Sequence, residues 1–430
     1  MPQHETTTRV HLNPRVEGLR PSATLAINET CARLKQQGRK IYHFGFGQSP
    51  FPVPSLVVES LRANAFRGGY LPVKGLPDLR NAVAEYHRRF NEIAATDESI
   101  LIGPGTKELI FLLQLTYDGD LLIPSPSWVS YEPQARLIGR NVFWLLTQKE
   151  NGWRLSAESL DRFCREQGER PRLLIINDPN NPTGLTFDAS DLENIARVAR
   201  QHQLLVLSDE IYAELKHSGR HISIAKFYPE GTIVSTGLSK WCSAGGWRLG
   251  SFCFPAALLW LLEAMATVAS ETFTSVSTPI QYAAVTAFQG NAEIQRHLTQ
   301  SRRILRSLGK EVTARLHASS IDVHPPEGAF YLFPDFSPHR EALRARGINT
   351  SAQLCDRLLN ETGVAMLPGA DFGRPASELT CRLAYVNFDG ARSLAAADEV
   401  PDAEELSQNF LSRYCPEVLE AIDLVSGWAC

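Results

Sequence analysis

The chain has 430 residues, 43% of them hydrophobic, which is enough to bury a sizeable core spread over two or three lobes. Charged residues make up 21%, the formal net charge is −4, and Lys and Arg are scattered, which excludes the electrostatic footprint of a nucleic-acid or anionic-membrane binder. The strongest apolar run, Phe254 to Leu262, stops at Glu263 and is too short to cross a bilayer.

The first residues, MPQHETTTRVHLNPRVEG, lack the apolar core of a secretory signal and read as a mobile arm over 1–20. Short, nearly all-apolar runs follow further on: Ile100-Leu-Ile, Leu121-Leu-Ile, Leu173 to Ile176, Leu204 to Leu207 and Thr232-Ile-Val. Such runs are what strands buried on both faces look like. Between two of them, Leu192, Ile195, Ala196 and Ala199 recur at helical spacing, and Ser190 with Glu193 reads as a capping box opening that helix. The alternation predicts an α/β fold with a largely parallel sheet covered by helices.

Before about Ala65 and after about Leu305 the chain carries more Pro and turn residues, with a mixed apolar stretch at Phe330, Tyr331, Leu332 and Phe333. These parts, 21–64 and 306–430, are expected to form a smaller α+β domain built from both chain ends, around a large domain at 65–305. The acidic, Ala-rich segment from Ala395 to Glu405 reads as solvated surface. The eight cysteines form no CxxC pair and no metal-ligand ladder, so reduced thiols in a cytoplasmic protein, and no metal site, are expected.

In open α/β sheets ligands collect beyond the carboxyl ends of the strands. Each apolar run here is followed at once by polar, glycine or aromatic residues: Gly103-Pro-Gly-Thr-Lys107, Pro124-Ser-Pro-Ser-Trp128, Asn177-Asp-Pro-Asn-Asn-Pro-Thr-Gly184, Ser208-Asp-Glu-Ile-Tyr212 and Ser235-Thr-Gly-Leu-Ser-Lys240. A dinucleotide fingerprint at Gly103-Pro-Gly105 fails because Glu108 stands where its third glycine belongs. Taken singly, each signal has an ordinary structural reading. Asp209 alone is a cap or turn residue, Trp128 a core aromatic, and Asn181-Pro-Thr-Gly184 a competent turn.

In combination, PxNPTG, SDEIY and a Ser-Lys followed by Gly-Trp-Arg resemble the fold-type I pyridoxal-phosphate (PLP) dependent aminotransferases in order and spacing, from about Arg15 to about Asn387. The resemblance implies the family's fold: a large domain with a mostly parallel sheet of the seven-stranded type, plus the small domain. It implies pyridoxal 5′-phosphate as cofactor, with Lys240 as the amine that anchors its aldehyde and moves the proton at the substrate Cα. It makes Asp209 the carboxylate opposite the pyridine nitrogen, Tyr212 and Asn181 the partners of the ring oxygen, and Trp128 the stacking aromatic. It assigns the phosphate to Gly105, Thr106 and Lys107 at a helix N-terminus, with Arg248 and Ser239. Tyr70 resembles a tyrosine that reaches the phosphate of the neighbouring subunit, implying a homodimer with shared active sites. Arg382 matches the arginine that forks the α-carboxylate, where Gly47 and Asn181 join it.

Leu19-Arg-Pro-Ser-Ala-Thr24, Lys107 and Trp128-Val-Ser-Tyr131 look like the bacterial-type aspartate and prephenate aminotransferases. There, residues at the places of Thr24 and Lys107 help to recognise a distal carboxylate, so the resemblance implies glutamate or aspartate as donor and a 2-oxo acid as acceptor. Three departures stand out, one of them a tail beyond Phe388 that is longer than expected. Gln48-Ser-Pro-Phe51 replaces the usual Glu-Pro-Asp-Phe, and Trp241-Cys-Ser-Ala-Gly-Gly is unlike the usual sequence after the lysine. A PLP lyase working by β-elimination or decarboxylation is the alternative on the same scaffold. An amine-sensing regulator would require an appended DNA-binding segment or a lost lysine, and neither is seen.

Overall fold

The computed structural model describes residues 11–19 and 21–429. The expectations placed on residues 1–10, Arg20 and Cys430 lie outside them. The core is a seven-stranded sheet. Its strands, numbered in chain order, are β1 Ile100–Gly103, β2 Asp120–Ser125, β3 Val142–Leu146, β4 Arg172–Asn177, β5 Leu205–Asp209, β6 Thr232–Gly237 and β7 Gly250–Cys253. They lie side by side in the order β1-β7-β6-β5-β4-β2-β3, with β7 antiparallel to both neighbours and every other pairing parallel.

Burial alternates along the strands with the two-residue period of a pleated sheet. Leu173 and Ile175 join Leu109, Leu113, Leu261 and Met265 on one face. Leu174 and Ile176 join Leu160, Leu192 and Ile195 on the other. All five expected strands are present. Of the two that were not expected, β3 is an apolar edge strand with only Leu145 buried, and β7 opens with Gly250 and Ser251, which give no strand signal. The expected helix runs Ala189–Gln201, but its cap is Asp188 rather than Ser190. The Asp188 carboxylate accepts from the Asp191 N–H at 2.8 Å, a stronger acceptor than the Ser190 hydroxyl, which donates to Asp188 instead.

There are two small sheets, of which the first joins the two ends of the chain. Tyr42–His43 pairs in parallel with Val364–Ala365, and Cys381–Ala384 lies antiparallel between Leu367–Pro368 and Tyr331–Leu332. The expected domain boundary at 305/306 falls inside one continuous helix, Ala292–Ala318. Among the described residues no helix is long and apolar enough to cross a membrane.

The acidic segment expected to be solvated surface is largely exposed, and its backbone is also clamped. Arg303, buried on the long helix, donates to the carbonyls of Ala397, Val400, Pro401 and Glu404, and Arg296 pairs with Asp398. Arg303→Ala leaves four carbonyls short of a charged donor at once. It is expected to lower stability by about 3 kcal/mol in denaturant unfolding, and a change under about 1 kcal/mol would mean that the segment holds itself.

Candidate active site

The strand ends set the site. Register places Asn177 beside Asp209 and Asp209 beside Ser235, so three polar residues stand in a row at the carboxyl rim of β4, β5 and β6. Above them opens a cleft of about 410 Å³. Lys107, Lys240, Arg248 and Arg382 line it, with Asp209 as the single carboxylate among the lining residues. A cleft so biased towards positive charge suits a ligand carrying several negative charges.

Asp209 is buried and firmly held. The Tyr131 hydroxyl donates to its Oδ2 at 2.6 Å, and the Asn177 amide donates to its backbone carbonyl at 2.8 Å. Burial pushes its carboxyl up to about 6, against the Tyr131 bond, which favours the ionised form. A cation opposite it would reverse that shift. The neighbouring Glu210 takes no part in the cleft, because it turns to Ser208, Ser223 and His221 behind the sheet.

Lys240 follows β6. Its amine donates to the Gly47 carbonyl at 2.6 Å and lies 5.5 Å from the centre of the Tyr212 ring. Burial first, and then the Arg382 guanidinium, push this amine down to about 8, which makes a nucleophilic free base accessible near neutral pH. Tyr212 shares a hydroxyl–hydroxyl bond of 2.7 Å with Tyr331. Arg382 is fully buried under the Tyr331 ring and donates to Asn181 Oδ1 at 3.3 Å and to the Gly45 carbonyl at 2.5 Å. Gly47 must be glycine, because a Cβ there would sit 2.1 Å from the Tyr331 hydroxyl.

The turn after β1 forms an anion cradle. Gly105, at φ +89°, caps the helix Thr106–Thr116, whose first N–H groups face the cleft end. Arg248 donates to the carbonyls of Gly245 and Pro104, and a Cβ on Gly105 would meet its guanidinium at 2.3 Å. Glycine, helix N-terminus and guanidinium therefore close on one spot that fits a phosphate. The other parts fit as well: an amine with a depressed pKa for an aldehyde, and a buried carboxylate at the cleft floor for a protonated ring nitrogen.

Thr24, Trp128, Asn181, Ser239, Lys240, Gly47 and Thr106 all line the cleft. Lys107 Nζ lies 5.1 Å over the Trp128 ring, and burial together with Arg248 lowers its pKa. Tyr70 is 91% exposed and does not line its own chain's cleft. The sequence reading left three contributors without a role. Tyr131 stands in Trp128-Val-Ser-Tyr131, Asn177 ends strand β4 two positions before the PxNPTG turn, and Tyr331 lies in an apolar run where a phenol needs a partner for its hydroxyl.

The family model for aminotransferase class I and II matches residues 39–389. An aspartate aminotransferase of Bacillus sp. (strain YM-2) is 34% identical over 381 residues, covering 86% of this chain and 93% of that one. An aspartate/prephenate aminotransferase of Thermus thermophilus is 35% identical over 367 residues, covering 84% and 91%. Among solved structures, an aspartate aminotransferase from Thermus thermophilus with maleate superposes with a TM-score of 0.83 at 30% identity, covering 97% of this chain and 100% of that one.

Proposed function

The chain belongs to the class I and II aminotransferases, and from that premise we propose that its amino donor is a dicarboxylic L-amino acid, glutamate or aspartate, with Lys240 as the catalytic amine. The protein is an enzyme that uses pyridoxal 5′-phosphate to move an amino group between an amino acid and a 2-oxo acid. One observation carries the finer reading: the cleft has four cationic side chains and one carboxylate. Arg248 at the phosphate cradle and Arg382 at the substrate α-carboxylate leave Lys107, with Thr24 nearby, for a second carboxylate. The names of the Bacillus and Thermus relatives, and the maleate of the Thermus structure, support the same choice.

Bound pyridoxal phosphate supplies an aldehyde that condenses with amines and a protonated ring that accepts the electron pair released at the substrate Cα. In this proposal Asp209, oriented by Tyr131, holds the proton on the ring nitrogen. Tyr212 and the Asn181 amide hydrogen-bond the ring oxygen, and Trp128 covers the ring face. Gly105, Thr106, Ser239 and Arg248 hold the phosphate. Arg382, aligned by Asn181 and Gly45, grips the α-carboxylate, and Gly47 supports it. Lys240 would anchor the cofactor's aldehyde, and its amine, held at about 8, would move the proton at the substrate Cα.

Tyr70 completes the phosphate site from a second copy of the chain. Its exposure, with that of Phe66 at 79%, supports a homodimer with shared active sites. A small domain of 21–64 and 306–430 closing on the large one at 65–305, and a cytoplasmic location, are parts of the same proposal.

The donor assignment is tested at Lys107. Lys107→Met is expected to raise KM for glutamate and aspartate by about 30-fold, the factor for losing one charge-assisted contact of about 2 kcal/mol. KM for alanine should stay within about twofold. Equal effects on all three donors, or none, would reject the distal-carboxylate role.

A further inference from the structure

Two of the stretches in which this chain departs from its family's usual sequence touch each other. Ser49, in Gln48-Ser-Pro-Phe51, and Ser243, in the stretch after Lys240, are 194 residues apart and share a hydroxyl–hydroxyl bond of 2.7 Å. Ser49 is buried, and Ser243 has a left-handed backbone at φ +57°, a conformation that costs energy in a serine and is kept only where the surroundings hold it. The turn beneath it is closed by the Ser243 N–H donating to the Lys240 carbonyl at 3.2 Å.

What the bond holds is the loop that forms one wall of the cleft. Among the described residues, 46–51 make no backbone–backbone hydrogen bond. The loop is fastened at its ends: Gly45 by Arg382, and Phe51 by its edge-on contacts with Phe388 and His297. Between those ends lies Gly47, whose carbonyl accepts from Lys240 and whose Cα is crowded by Tyr331. The Ser49–Ser243 bond fastens the middle of the loop, and it does so to the turn that carries Lys240.

We propose that Ser49 and Ser243 form a positioning latch that holds the Gly47 peptide against the substrate's α-carboxylate by tying the entrance loop to the turn after Lys240. The inference rests on the assignment of Lys240 and Gly47 given above. The latch touches neither substrate nor cofactor. It fixes a wall that meets substrate and transition state alike, so its loss belongs in KM rather than in kcat.

The test uses the cofactor-loaded enzyme with Ser49→Ala, Ser243→Ala and the double substitution. Each single substitution is expected to raise KM for glutamate about three- to tenfold, the factor one neutral hydrogen bond supplies, with kcat within about twofold of the parent. Maleate, which cannot react, should bind more weakly by the same factor in calorimetry. The double variant should be no worse than the singles, because either substitution already breaks the pair. Unchanged KM and maleate affinity, a fall confined to kcat, or a double variant whose factor is the product of the two singles would each overturn the latch. Lys240→Ala, run in parallel, separates the two readings. If that variant still turns over, the lysine assignment fails; if it is inactive while the serine variants match the parent, the latch alone fails.

Discussion

Lys240→Ala is expected to lower transamination by at least about 10³-fold, within the range that a positioned general acid–base group contributes. It should also abolish the covalent capture of pyridoxal phosphate. Reduction with borohydride should fix the cofactor to the peptide containing Lys240 in the parent and to no peptide in the variant. The amine is suited to this work because burial and Arg382 hold it at about 8. The direction of the pH dependence follows. Below about pH 8 the amine is mostly protonated and cannot attack, so the rate at which the cofactor-free protein captures the aldehyde should rise with pH and level off above that value. A variant that still captures the cofactor covalently would place the reactive amine elsewhere.

Asp209→Asn is expected to cost about 10²- to 10³-fold in kcat, the scale seen when a preorganised electrostatic group is removed from a buried site. The substitution keeps the shape, and the Tyr131 hydroxyl can still donate to the amide oxygen. It removes the negative charge that would keep a cofactor nitrogen protonated. Burial raises the Asp209 carboxyl to about 6 despite the Tyr131 hydrogen bond, and a cation facing it would favour its ionised form further. The variant's bound cofactor should accordingly lose its ring proton at lower pH, which an absorbance titration reads directly. A variant with parental kcat and an unchanged titration would remove Asp209 from the mechanism.

Much of this architecture was legible in the sequence because the parallel strands announce themselves. Leu173 to Ile176 and Leu204 to Leu207 are buried on both faces and so are apolar without interruption. Strand β7 was not legible, since its Gly250 is demanded by the backbone of Thr106, 2.5 Å from where a Cβ would stand, and not by any strand preference. Of the cleft residues, Lys107, Trp128, Asn181, Asp209, Tyr212 and Lys240 were legible because each lies in the short segment that follows such a run, whereas Arg248 and Arg382 do not. Tyr131 and Tyr331 acquire their roles only through partners remote in sequence: Tyr131 bonds Asp209, 78 positions away, and Tyr331 bonds Tyr212, 119 positions away. The same holds for Arg303, whose four carbonyl partners lie about a hundred residues downstream. Ser49 and Ser243 could be noticed in the sequence as departures from a pattern, yet only the fold brings them together.

The most direct test of the account is a half-reaction. The purified enzyme loaded with pyridoxal phosphate is mixed with glutamate or aspartate alone, without any 2-oxo acid, while the cofactor absorbance is followed and the products are identified. The account predicts a single turnover to the pyridoxamine form, with one equivalent of 2-oxoglutarate or oxaloacetate released per site and a much slower conversion with alanine. Continuous accumulation of ammonia or carbon dioxide with the cofactor absorbance unchanged would make the enzyme a lyase and contradict it.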